Sequence, residues 1–143
     1  MSFERIQNFV IALQADDGLY LSRINRGSIN PIEAAKSQID PYCRFTVTQM
    51  QNGLFVLQAD TGLYLSRINR NGIDAIEAAK QTPDTYCQFS GFVLSEDRTH
   101  IVLQADTGLY LSRINRGSIN PIEAAKSQID PYCQFKVEFL GFV

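Results

Sequence analysis

The chain has 143 residues, 45% of them hydrophobic and 20% charged, with a formal net charge of −2. That length suits one domain with a substantial core, here taken as residues 1–143. The slightly acidic balance argues against nucleic-acid or heparin partners, which call for a cationic face, and no stretch approaches the roughly 20 apolar residues of a membrane span. The segment Met1–Ile6 lacks a basic region followed by an apolar run, so it does not read as a secretion signal, and a cytoplasmic location is expected.

In chain order, the apolar run Phe9–Leu13 predicts a first strand, and Asp16-Asp17-Gly18 a hairpin turn. Leu19–Ser22 alternates as a second strand, and Arg26-Gly27-Ser28 marks a second turn. Ile32–Lys36 has the propensity of a strand or a helical turn, and its short length favours the strand. Asp40-Pro41 closes a third turn, after which Cys43, Phe45 and Val47 alternate as a fourth strand.

The same series then recurs. Gln14–Phe45, Gln58–Phe89 and Gln104–Phe135 align without gaps, and the first and third copies differ only at Asp17/Thr107 and Arg44/Gln134. The second copy departs more, with Asn71-Gly72-Ile73-Asp74-Ala75 where the first has Gly27-Ser28-Ile29-Asn30-Pro31. Three repeats of about 45 residues with four strands each are too few for a propeller and lack the atypical caps of a solenoid. The expectation is an all-β β-trefoil of three near-identical four-stranded repeats, spanning approximately residues 1–50, 51–96 and 97–143.

The three cysteines, Cys43, Cys87 and Cys133, occupy one place in each copy. An odd, repeat-related set cannot pair completely, and close C-x2-C spacing is missing, so buried reduced thiols are expected, with no metal and no cofactor. The single histidine, His100, stands at the start of a strand outside the repeat units, and no nucleophile elbow, phosphate loop or H-E-x-x-H pattern occurs. An enzyme is not expected.

Three like-shaped units suit multivalent binding, with glycans or glycoproteins as the partner class. A sugar site needs an aromatic face for the ring and planar polar groups for its hydroxyls. The outward candidates are Arg23, Asn25, Glu33 and Tyr42; Arg67, Asn69, Glu77 and Tyr86; and Arg113, Asn115, Glu123 and Tyr132. Other assignments remain open: each tyrosine as half-buried packing, Arg23 paired with Glu33 on a solvated face, and Asp16 and Asp40 as turn acceptors.

Ser37–Val47 and Ser127–Val137, with the strand Leu19-Tyr20-Leu21, resemble the amaranthin-type agglutinin domain. That resemblance implies a β-trefoil binding galactose- or N-acetylgalactosamine-type glycans, often as a homodimer with the site between chains. Copy two departs from the pattern at Asp84-Thr85-Tyr86. Gly18–Leu21 is similar to fascin-like trefoils, which implies as the alternative a protein-interaction module that bundles filaments. A symmetric scaffold without ligand is the third reading.

Overall fold

A computed structural model describes residues 8–94 and 99–143. Among the described residues the chain forms twelve strands. The first repeat carries β1 (Asn8–Gln14), β2 (Tyr20–Arg23), β3 (Ile32–Lys36) and β4 (Phe45–Gln49). The second carries β5 (Phe55–Gln58), β6 (Tyr64–Arg70), β7 (Ile73–Lys80) and β8 (Ser90–Val93), and the third β9 (His100–Gln104), β10 (Tyr110–Arg113), β11 (Ile122–Lys126) and β12 (Phe135–Phe142). No helix among these residues is long and apolar enough to cross a membrane.

The expected strands fall close to where periodicity puts them, with one systematic shift. Cys43, Cys87 and Cys133 end short 3-10 turns (Pro41–Cys43, Thr85–Cys87 and Pro131–Cys133) rather than opening the fourth strand. The Asp40 carboxylate accepts the Tyr42 N–H at 3.0 Å, and Pro41 supplies a pre-set φ at the first position, so the chain coils once before extending. Asp84 and Asp130 cap their turns in the same way.

Strand pairing corrects the expectation of three near-identical four-stranded repeats. The hydrogen-bonded order β12-β9-β10-β11-β7-β6-β5-β4-β1 closes on itself through a β1–β12 pairing, so nine strands form a closed barrel. The β2–β3 hairpin branches from β1, and β8 pairs with β9 alongside the ring. The middle hairpin explains the inequality. In copy two, Asn71 and Gly72 both have positive φ (56° and 87°), the twist-matched two-residue turn of a tight hairpin. Ala75 pairs with Ile68, and β6–β7 stays in register out to Arg70 and Ile73. Pro31 and Pro121 stand at the Ala75 position and have no N–H to donate, so the continuous ladder of the outer hairpins breaks after Arg23–Ile32 and Arg113–Ile122 and resumes only as the isolated bridges Arg26–Ile29 and Arg116–Ile119.

The third strands of the repeats meet in cyclic order. Glu33 bridges to Pro121, Glu77 to Pro31, and Glu123 to Ala75. Inside the barrel, Phe45, Phe89 and Phe135 are at most 1% exposed and pack with Leu13, Leu21 and Ile32 and their copies. All three thiols are buried and free. Cys43 Sγ lies 3.3 Å from Asp40 Oδ1, and burial pushes the thiol pKa up, which leaves it a poor nucleophile. Truncating any one of the three core phenylalanines to alanine should cost about 3–5 kcal/mol. Urea unfolding of the three variants should give comparable losses, since all three rings lie in one core cluster.

Candidate functional site

Several polar residues of the repeated stretch Gln14–Arg23 close its own turn. The Gln14 side-chain amide donates to the Gly18 carbonyl at 2.8 Å, and Gly18 has φ +85°, a conformation side chains disfavour. Asp17 accepts the Leu19 N–H at 3.0 Å, while Thr61 and Thr107 accept the matching N–H with a hydroxyl at 3.3 Å. This is why Asp and Thr interchange there. Asp16, read from sequence as a turn acceptor, has a different partner.

Arg23 donates through Nε and Nη2 to Asp60 of the second repeat at 2.7 and 3.0 Å. Arg67 makes the same fork to Asp106 of the third repeat, and Arg113 returns to Asp16 of the first. Each arginine thus clasps the following repeat, in a cycle, with matched planar geometry. The remaining Nη1 donates to Asn30 in copy one and Asn120 in copy three, but to the carboxylate of Asp74 in copy two.

Above each clasp lies a tyrosine. Tyr42, Tyr86 and Tyr132 are 45%, 47% and 44% exposed, so they present a ring to solvent instead of packing in the barrel. The guanidinium of Arg23 sits 5.2 Å from the Tyr42 ring centre and Lys36 Nζ 4.9 Å from it, with the same pair at Tyr86 and Tyr132. Each lysine also pairs with an aspartate four residues on, Lys80 with Asp84 at 2.6 Å. The ring is therefore held by two cations, each already matched to a carboxylate.

In copy two these groups line a cleft of about 290 Å³ formed by Arg67, Ile68, Asn69, Lys80 and Tyr86. Three of the four predicted residues of that copy come together there. The lysines were not foreseen, although their Lys-x3-Asp spacing recurs in all three repeats. Asn25 and Asn115 are exposed and accept the Gly27 and Gly117 N–H at 3.0 Å. Asn69 likewise accepts a turn N–H, from Gly72 at 3.3 Å, and in addition donates to Asp74 at 3.0 Å.

Glu33, Glu77 and Glu123 do not join the cleft. They are 3%, 2% and 5% exposed, and each takes a two-pronged contact from an arginine across the second turn, Arg26, Arg70 or Arg116. The outward assignment of these glutamates is corrected, and the sequence-level Arg23–Glu33 pairing gives way to Arg23–Asp60 and Arg26–Glu33.

The chain matches no family model and no curated protein. Among solved structures it is similar to the designed three-fold symmetric protein ThreeFoil, with TM-score 0.75 and 16% identity over 90% of this chain and 96% of that one. It is equally similar to the BEL β-trefoil in its apo crystal form, with TM-score 0.74 and 12% identity over 98% of this chain and 100% of that one. The fold is a β-trefoil. The likeness reaches no family, and the amaranthin-type assignment is not carried by it. Cry35Ab1 matches with TM-score 0.75 and 12% identity over 94% of this chain, which spans only 36% of that protein.

The clasps make acid stability predictable for this trefoil. Hydrogen bonding from Arg67 holds the Asp106 carboxyl below its ordinary value of 3.8, and the hydrogen bond from Lys126 does the same for Asp130. A depressed carboxyl contributes stability that is complete above the unfolded value and lost as pH falls through the folded one. Melting temperature should therefore hold from neutrality to about pH 5 and fall below about pH 4, and Asp106→Asn should flatten that fall. At pH 7, Asp60→Asn should cost about 1–3 kcal/mol, read by urea unfolding, because Arg23 loses its only carboxylate partner among the described residues.

Proposed function

We propose that the chain is a carbohydrate-binding protein with up to three pseudo-equivalent sites, one at each exposed tyrosine. The observation that carries this reading is the threefold recurrence of a half-exposed tyrosine ring fixed by Arg and Lys at its face. A ring immobilised in this way offers a flat apolar platform to the C–H face of a sugar at little further entropic cost. Neighbouring polar groups, Asn69 and Lys80 in copy two, supply directional hydrogen bonds to hydroxyls. The sugar is neutral: every cation at the tyrosine already has an aspartate, leaving no net positive charge to attract a carboxylate or sulfate.

Galactose- or N-acetylgalactosamine-type glycans are the proposed class, on the resemblance of Ser37–Val47 to amaranthin-type agglutinins. Binding occurs without chemical transformation, and the buried free thiols suit a reducing, cytoplasmic setting. Copies one and three bind alike. Copy two binds differently, because Asp74 replaces Asn30 beside its arginine and its hairpin extends further.

A glycan array followed by titration calorimetry on the best hit tests the reading. Two or three sites per chain are expected, with Tyr42→Ala, Tyr86→Ala and Tyr132→Ala combined abolishing the heat, a loss of at least about tenfold in affinity per site. One site per pair of chains would place binding at a homodimer interface instead. A blank array from folded protein would overturn the sugar reading in favour of a protein-interaction module.

A further inference from the structure

The threefold pattern breaks at one layer of the barrel. Two residues after the core phenylalanines stand Val47, Gly91 and Val137, and two residues before the core leucines stand Ile11, Phe55 and Ile101. Copy two thus has Gly for Val and Phe for Ile. The exchange from Ile to Phe adds less volume than the exchange from Val to Gly removes, so the layer is underfilled. A cavity of about 220 Å³ lies there.

Its wall is wholly apolar in side chain, and Phe9, Phe55 and Phe92 all contribute to it. The mouth runs out beside Phe92 and Val93, which are 49% and 59% exposed. A sugar has no hydrogen-bond partner in such a space, and water finds none of the two to four polar partners it needs. Cavities of roughly 150 Å³ lined by Leu, Ile and Phe admit a benzene ring. Three phenylalanines favour an aromatic guest further, since rings prefer edge-to-face and offset contacts with one another.

We propose that this cavity is a binding site for a small aromatic, uncharged ligand, of one ring with at most short alkyl substituents. It is separate from the tyrosine clefts and independent of the glycan reading. The site is specific to the junction of copy two with its neighbours, so the stoichiometry is one per chain.

Toluene serves as the probe, with melting temperature and methyl carbon–proton spectra as readouts. Saturating toluene at about ten times its Kd should raise the melting temperature of the full chain by about 4 °C. Methyl shifts should be confined to the cavity wall, Val47, Ile101, Leu103 and Val137 among them. A Cβ on Gly91 would lie 3.2 Å from the Phe55 ring, so the cavity is closed by restoring both residues together. Phe55→Ile with Gly91→Val rebuilds the layer of copies one and three, and should abolish the toluene effect while keeping the fold. No melting shift, an equal shift in the double variant, or methyl shifts scattered over the surface would each overturn the proposal.

Discussion

Three arginines hold the repeats to one another. Arg23, Arg67 and Arg113 each reach the aspartate in the first turn of the next repeat, and the third contact returns to the first repeat. Sheet hydrogen bonds alone would tolerate slippage between units of nearly the same sequence. A planar fork matched to one carboxylate does not, because a shifted register leaves a half-buried guanidinium unpaired. The same guanidinium lies against the tyrosine ring, so the clasp that joins the repeats also sets the orientation of the exposed aromatic platform.

The first and third units are nearly identical throughout, and the second matches them at the clasp but departs from them elsewhere. Asp74 gives Arg67 a second carboxylate where Arg23 and Arg113 have an asparagine amide oxygen. Ala75 restores a backbone donor that proline withholds, and the Asn71-Gly72 turn lets β6 and β7 run paired to their tips. Gly91 and Phe55 shift space within one core layer. Departures in copy two thus change the charge of a cleft, the reach of a hairpin and the filling of the interior, without disturbing the clasp.

Much of this was legible in the residues. Strand positions followed from apolar runs and turn chemistry, and Ile32–Lys36 is a strand with the expected limits. For the tyrosines the residues left two positions open, outward or half-buried in the barrel, and the structure exposes all three rings. Glu33 escapes alternation, which assumes one solvent-facing side, because Ile32, Glu33 and Ala34 are buried in succession. Its partner Arg26 lies across a turn that propensity cannot align. Asp16 was taken for a turn residue since its partner, Arg113, is remote in sequence and met only in the closed barrel. The division into four-stranded units failed for a related reason. Repeat boundaries in sequence do not mark boundaries in a sheet whose ring passes through some strands and bypasses others.

Closure of the ring through β1 and β12 bears on how the protein is made. β1 leaves the ribosome early and can pair at once with β4, but its other edge waits for the final strand. Until β12 is synthesised, Phe9 to Gln14 present unpaired backbone groups on an apolar strand, the surface most prone to join another nascent chain. In the β1–β12 pairing Val10 faces Gly141 and Ile11 faces Phe139, so the extra residue, Leu140, lies on β12 and the bulge forms only as the ring shuts. Synthesis of the last repeat is thus the interval over which this edge stays open, whatever the stability of the finished barrel.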